Sequence, residues 1–221
     1  TRVRAIDLRL DLRPPLLQLG RLDDVLKISR EAEQVARELG DEQRLARVYT
    51  YLVNYYYLKG ETAAALDYAA RCLAVGESTA DVPLQVLARQ YSGQSYHARG
   101  EYARAEQVLQ ENLTALETTP TGTSYVASCA WLAWSLIERG EFQTADDCLE
   151  RALRSAAESQ HSYTQAIAWT FAGLAAIRRR RLPQAVLPLT RSLELCRRKR
   201  LTVWEPIPSS LLGLTFTRMG H

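Results

Sequence analysis

Histidine and cysteine are scarce in this sequence of 221 residues, and neither is arranged for chemistry. The three histidines, His97, His161 and His221, stand near no plausible nucleophile, so neither a Ser-His-Asp nor a Cys-His arrangement is indicated. The four cysteines have no CxxC spacing and no nearby histidine pair, which disfavours zinc and favours free buried thiols. The sequence therefore predicts a protein that is not an enzyme and that has no metal and no cofactor.

Long apolar stretches and a strong charge imbalance are also lacking. No apolar run approaches the ~18 residues that a membrane-spanning helix needs. The first residues, TRVRAIDLRLDLR, are charged throughout, unlike a secretory signal. Lys and Arg total 28 against 25 Asp and Glu, so the net charge of +3 does not indicate a polyanionic partner. These features predict a cytoplasmic protein with no membrane contact.

Glycine recurs at a fixed spacing of 40 residues. The positions on this period are Gly20, Gly60, Gly100, Gly140, Arg180 and Gly220. Other columns repeat with it. Alanine stands five positions later at Ala65, Ala105, Ala145 and Ala185, and a small residue usually stands seven positions earlier, as at Gly93, Ala133, Gly173 and Gly213. Six positions on one period indicate a repeated structural unit that fills the chain from 1 to 221.

Each repeat has the pattern of two amphipathic helices joined at the glycine, where a left-handed backbone is often needed. Strand patterns are absent. We predict first helices at 3–19, 42–59, 82–99, 124–139, 162–179 and 204–219, and second helices at 22–38, 62–77, 102–117, 142–158 and 182–199. The predicted fold is an all-α solenoid of about five and a half repeats, in which stacked helix pairs form a right-handed superhelix with a concave groove.

These columns resemble the tetratricopeptide repeat, which has a small residue at position 8, glycine at 15, an aromatic residue at 17 and alanine at 20. The segments ARQYSGQSYHARGEYARAEQVLQENL (88–113) and CAWLAWSLIERGEFQTADDCLERAL (129–153) match it well. The standard repeat has 34 residues, so the helices or connectors are extended here. Arg13 and Glu33 replace small or apolar residues in the first repeat, and Arg180 replaces the glycine of the fifth.

A narrower resemblance concerns the segments ELGDEQRLARV, AWLAWSLIERGEF and LCRRKRLTVWEP. They are similar to the helical-repeat region of large bacterial signalling proteins, in which a class III nucleotide cyclase domain and a signalling-type AAA-like ATPase precede the repeats. This sequence has no GxxxxGK[ST] loop and no cyclase carboxylate pair. The resemblance implies a sensor or partner-binding region that is a fragment of a longer chain.

First-helix residues opposite the core columns are expected to line the groove. The candidate partner-binding residues are Arg47, Asn54, Tyr57, Gln90, Gln94, His97, Trp134, Glu138 and Arg178. Amides, aromatic rings and a few charges suit an extended peptide or a helix from a protein partner. Asn54 stands where some tetratricopeptide domains hold a peptide backbone or carboxylate, although the rest of that clamp has no counterpart here. The same residues would equally suit a solvated face.

Several alternatives stay open. A ladder of aromatic residues nine positions before the turn, at Tyr51, Tyr91, Trp131 and Phe171, could pack between first helices or contact a ligand. A protein-interaction scaffold is the leading function, and a small-molecule-sensing module coupled to an upstream ATPase is the alternative. The last helix carries Leu211, Leu212, Leu214 and Phe216 without a following partner helix, which would allow a homo-oligomer.

Two arginine-rich runs raise the further alternative of nucleic-acid binding, which the pattern disfavours. Arg178–Arg181 falls at the turn of the fifth repeat, and the run at 197–200 falls at the far end of the next helix. We expect Arg178 to enter the groove and Arg179 and Arg181 to be solvated. Arg180 must either take a left-handed backbone or belong to a rebuilt turn.

Overall fold

The computed structural model describes residues 2–117 and 122–220. These residues form eleven α-helices, and no strand occurs among them. In chain order the helices are α1 (Arg2–Gln18), α2 (Leu22–Leu39), α3 (Glu42–Leu58), α4 (Thr62–Ser78), α5 (Val82–Ala98), α6 (Tyr102–Ala115), α7 (Thr123–Glu138), α8 (Phe142–Glu158), α9 (Ser162–Arg178), α10 (Leu182–Lys199) and α11 (Pro206–Met219). The all-α prediction is confirmed, and predicted helix ends differ from these by at most two residues. Residues 118–121 of a predicted connector, Thr1 and His221 lie outside the described residues.

The turn at Arg180 has the same backbone as the glycine turns. Arg180 has φ +58° and Gly140 has φ +85°, both in the left-handed region. The Arg180 N–H donates to the Ile177 carbonyl at 2.9 Å, as the Gly140 N–H donates to Ile137 at 3.0 Å. The turn is therefore not rebuilt. No atom lies within 4 Å of where a Cβ would stand at Gly140, so an equivalent side chain meets open space and the cost of Arg180 is confined to its backbone.

A second set of left-handed residues follows α2, α4 and α10. Gly40, Ala80 and Arg200 have φ values of +63°, +53° and +54°. Each of them stands 20 residues after a turn residue of the 40-residue period. In these repeats a left-handed turn therefore follows the second helix as well as the first. The sequence did not reveal this spacing because only the first of the three is glycine.

The chain divides into two compact units, with the boundary inside α6. Residues up to Val108 form the N-terminal unit and residues from Leu109 form the C-terminal unit. In the N-terminal unit α1 packs against α2, α2 against α3, α3 against α4 and α4 against α5. In addition, α3 packs against α5. In the C-terminal unit α7 packs against α8 and α9, and α10 packs against α9 and α11. Both arrangements are those of stacked helix pairs.

Small residues set the close packing within the repeats. The predicted alanine column is fully buried at Ala65, Ala105, Ala145 and Ala185. At Gly173, a Cβ would stand 2.4 Å from Leu189 Cγ. The close approach of α9 and α10 therefore requires a residue without a side chain at this position. At Gly213 in α11 the equivalent position has nothing within 4 Å. The small column is thus required where α9 meets α10 and is not required in α11.

Glu33 departs from the apolar column because two arginines neutralise it. Its carboxylate accepts hydrogen bonds from Arg30 and Arg37, both at 2.8 Å, while Glu33 itself is only 6% exposed. Arg30 also donates to the hydroxyls of Tyr56 and Tyr68. A buried carboxylate needs such partners, since an unpaired buried charge is strongly destabilising.

The four cysteines are free and buried, as the sequence predicts. Burial raises the pKa of the Cys72 thiol and of the Cys129 thiol to about 12. Burial also raises the pKa of Cys196. These thiols are therefore packing groups. None of the helices described is long and apolar enough to cross a bilayer.

Candidate functional site

The nine predicted partner-binding residues differ widely in exposure. Arg47 and Arg178 are exposed. Partly buried are Asn54, Tyr57, Trp134 and Glu138, and buried are Gln90, Gln94 and His97. Trp134, Glu138 and Arg178 are brought together by hydrogen bonding and ion pairing, and all three lie in the C-terminal unit.

In the N-terminal unit, Asn54 is held by a residue that departs from the repeat pattern. The Arg13 guanidinium on α1 donates to Asn54 Oδ1 on α3 at 2.6 Å, and it lies 4.4 Å from the centroid of the Tyr51 ring. Arg13 therefore fills the place of the usual small residue by stacking on an aromatic ring. Because the Asn54 carbonyl already accepts a hydrogen bond, the amide N–H groups are what Asn54 offers a partner.

The predicted groove residues of α5 do not lie on an open surface. Gln90, Gln94 and His97 are 8%, 4% and 7% exposed, whereas the pattern placed them on the groove face. The His97 ring lies 5.2 Å from the ring of Tyr102, the first residue of α6. The following helix thus helps to cover the end of α5, which the spacing alone could not reveal.

Trp134, Glu138 and Arg178 form a cluster at the ends of α7 and α9, which we call the Trp134 site. The Trp134 indole Nε1–H donates to Glu138 Oε1 at 2.8 Å, one helical turn along α7. Arg178 Nε lies 3.0 Å from the same Oε1 and so links α9 to α7. The Glu138 side chain is 22% exposed and the Arg178 side chain is 46% exposed. A ring, a carboxylate and a guanidinium therefore share one accessible patch.

Buried aromatic rings lie next to the Trp134 site. The Trp134 ring meets Phe171 edge-on with 5.7 Å between centroids, and Phe171 in turn lies 4.4 Å from Trp131. Trp131 and Phe171 are 6% and 4% exposed, which favours the packing interpretation of the aromatic ladder over ligand contact. The buried rings fix the position of Trp134, so the site needs little ordering on binding.

Thr170 on α9 is buried beneath a residue of a later connector. Thr170 Oγ1 lies 2.8 Å from Ser192 Oγ on α10 and accepts a 3.0 Å hydrogen bond from Trp204 Nε1. Trp204 lies in the connector before α11 and is 7% exposed. The repeat pattern gave it no role beyond the first position of the predicted helix 204–219.

Arg179 is not solvated, contrary to the prediction. Its guanidinium donates to Asp146 Oδ1 at 2.5 Å and to the Phe142 carbonyl at 2.9 Å, and its side chain is 10% exposed. It also lies 5.3 Å from the Phe142 ring centroid. Arg181 is exposed, as predicted. The arginine run therefore contains two ion-paired residues, Arg178 in the Trp134 site and Arg179, together with the turn residue Arg180 and the exposed Arg181.

Known structures with the same arrangement of helices identify the fold. The apo form of RapI superposes with a TM-score of 0.70 over 97% of this chain and 83% of that chain, at 15% identity. A Podosopora anserina protein with nearly identical TPR-like repeats gives 0.65 over 90% and 98%, at 16% identity. The chain has a tetratricopeptide-like repeat fold. A second structure of the Podosopora anserina repeats also gives 0.65, at 16% identity over 88% and 96%. No protein-family model and no curated protein matches the chain.

Proposed function

We propose that this chain is a non-catalytic protein-interaction scaffold that binds an extended peptide segment of a partner at the Trp134 site. The observation that carries the proposal is the sharing of one carboxylate oxygen of Glu138 by the Trp134 indole and the Arg178 guanidinium. This arrangement fixes an aromatic ring beside two opposite charges on neighbouring first helices. Tryptophan and arginine are the residues most enriched among binding hot spots.

The chemistry of the site matches a peptide. A backbone carbonyl or a carboxylate of the partner can accept from the half-exposed Arg178 guanidinium. An apolar side chain of the partner can lie against the part of Trp134 that Phe171 does not cover. In the N-terminal unit, the amide of Asn54 with Arg47 and Tyr57 would supply a second set of polar contacts to the same class of partner.

The wider context is also a proposal. The sequence resemblance supports a place in the cytoplasm within a larger bacterial signalling protein of the cyclase and ATPase type. The repeats would then carry the partner contact and the ATPase would respond to it. The complete reading frame tests this context: a nucleotide-binding GxxxxGK[ST] loop upstream supports it, and its absence from the whole protein contradicts it.

Self-association through α11 is a separate part of the proposal. Ile207, Leu214 and Phe216 are 39%, 39% and 38% exposed, so α11 offers apolar area to a second copy. Sedimentation of the wild type and of a Leu214→Glu variant tests it. A concentration-dependent dimer that the variant loses supports self-association, and a monomer at all concentrations contradicts it.

The peptide-binding function is tested by selection from a displayed library of random 12-residue peptides on the immobilised chain. We expect enriched peptides to share an acidic or C-terminal carboxylate group next to an apolar residue. Their capture should fall at least tenfold on the Glu138→Ala, Arg178→Ala double variant. Because Arg154 pairs with Glu150 on the exposed face of α8, the Glu150→Ala, Arg154→Ala variant is a matched control. Equal capture by the wild type and the Trp134-site variant would contradict the proposal.

A further inference from the structure

A cavity of about 410 Å³ lies between α9 and α10, at residues outside the Trp134 site. Its lining residues are Gln165, Trp169, Arg191, Glu194, Leu195 and Arg198. Leu195 is 6% exposed, and Trp169 is partly buried. Cavities that hold small ligands have volumes of roughly 300–1,000 Å³ and combine an apolar surface with a few polar groups. This cavity therefore has the volume of a small-molecule site, and it is open to solvent on the side of the exposed Arg191, Glu194 and Arg198.

The cationic groups of this cavity make no ion pair within the described residues, and one of them lies over the tryptophan ring of the cavity. The Arg191 guanidinium lies 4.9 Å from the Trp169 ring centroid and makes no ion pair within the described residues. Arg198 also has no ion-pair partner there, whereas its neighbour Arg197 pairs with Glu205 at 3.1 Å. Arg191 and Arg198 are both exposed, whereas the nearly buried Arg179 pairs with Asp146. Two arginines at one cavity without such partners can hold an anion.

The surroundings of the cavity strengthen its positive potential. Lys199 and Arg200 follow Arg198 at the end of α10, and both are exposed. Glu194 is the one acidic residue in the lining, and it stands three residues after Arg191 and four before Arg198. It makes no ion pair with either arginine in the part of the chain that the structure describes. The lining thus keeps an excess of positive charge beside an aromatic ring.

We propose that the cavity between α9 and α10 binds a small molecule that joins a planar ring to a phosphate or carboxylate group. The anionic group accepts from Arg191 and Arg198, and the ring packs on Trp169 and Leu195. The bound ligand would contact both helices of the fifth repeat. This inference does not depend on peptide binding at the Trp134 site, and it gives the alternative function, small-molecule sensing, a place in the fold.

Calorimetry on the full chain, with adenosine 5′-monophosphate and 1-naphthoate as probes, tests the proposal. We expect at least one probe to bind with a dissociation constant below 1 mM. Binding should weaken at least tenfold in the Arg191→Gln, Arg198→Gln variant and strengthen in Glu194→Gln, which removes the repulsive charge. Adenosine, which lacks the phosphate, and inorganic phosphate, which lacks the ring, should each bind at least tenfold more weakly than the nucleotide.

The location of binding is read from the indole N–H signal of Trp169 in nuclear magnetic resonance spectra. That signal is assigned by its loss in Trp169→Phe, and we expect it to shift on addition of the probe while the Trp134 signal stays in place. The control variant Arg71→Gln, Arg154→Gln changes charge equally outside the cavity and should bind like the wild type. No binding of either ring-bearing anion up to 5 mM would overturn the proposal. So would equal affinity in the Arg191→Gln, Arg198→Gln variant.

Discussion

The Arg179 guanidinium donates a 2.5 Å hydrogen bond to Asp146 Oδ1 and thereby joins the turn of the fifth repeat to the second helix of the fourth. Arg179 is nearly buried and Asp146 is half-exposed. The same guanidinium also donates to the Phe142 carbonyl in the first turn of α8 at 2.9 Å. Contacts of this kind hold successive repeats at a fixed distance, since each repeat is stabilised mainly by its neighbours.

Replacing Arg179 with glutamine should destabilise the chain by about 1 kcal/mol, because a charge-assisted pair is lost but Asp146 remains hydrated. Thermal unfolding should show a melting temperature lower by about 2–4 °C. Arg181→Gln removes an equal charge at an exposed position nearby and should leave the melting temperature within error. An Arg179→Gln variant as stable as Arg181→Gln would show that the ion pair between Arg179 and Asp146 does not contribute to stability.

Arg180→Gly should stabilise the chain by about 1 kcal/mol. Arg180 has φ +58°, and the left-handed region costs a residue with a Cβ about 1–2 kcal/mol relative to glycine, part of which is offset by the greater freedom of glycine in the unfolded chain. Urea unfolding followed by circular dichroism gives the free energy of unfolding directly.

The matched control is Arg181→Gly. Arg181 has φ −92°, which any residue adopts, so glycine brings no relief of strain there and should lower the free energy of unfolding by a few tenths of a kcal/mol. Opposite signs for two identical substitutions at adjacent positions are the expected result. A loss of stability in both variants would mean that the Arg180 side chain has a structural role of its own.

Gly173 and Gly213 occupy the same column, yet alanine should affect them oppositely. At Gly173 the added Cβ would stand 2.4 Å from Leu189 Cγ, which forces α9 and α10 apart at a cost of about 1–3 kcal/mol. At Gly213 the Cβ meets nothing within 4 Å, so alanine should stabilise α11 by about 0.5–1 kcal/mol. Differential scanning calorimetry of both variants distinguishes packing from helix propensity. A destabilising Gly213→Ala would contradict the open environment of α11.

The thiols should be unreactive in the native state. All four cysteines are buried, and burial raises the pKa of Cys72 and of Cys129 to about 12, so their thiolate fraction at pH 8 is negligible. Ellman's reagent at pH 8 should label none of them within minutes and all four in 6 M guanidinium chloride. Rapid labelling of even one thiol in native protein would identify a local opening.

The fold was predictable because the residues that specify its turns and helix contacts recur at a fixed period. Glycine or its substitute at every fortieth residue, with alanine five positions later, located the helices to within two residues at each end. The half-period turns at Ala80 and Arg200 could not be predicted, since neither residue is one that favours a left-handed backbone. The division within α6 was equally hidden, because the repeat pattern continues through it unbroken.

The site was only partly predictable, for a physical reason. A helical-wheel argument identifies which side of a helix a residue is on, but it does not say what covers that side. It placed Trp134, Glu138 and Arg178 on one face, and the structure joins them. Thr170, also on α9, is covered by Trp204 from a connector 34 residues later. Whether a side chain is accessible depends on contacts from segments that are distant in the sequence, and a local sequence pattern contains no information about these contacts.

The most direct test of the account is the affinity of a selected peptide for the wild type and for two substitutions of Trp134, measured by calorimetry. Trp134→Ala removes the ring and the N–H donor to Glu138, and we predict at least tenfold weaker binding. Trp134→Phe keeps a smaller aromatic ring and removes the donor, and we predict an intermediate loss of about twofold to fivefold. An unchanged dissociation constant in Trp134→Ala, with the fold intact by circular dichroism, would contradict the peptide-binding function of this site.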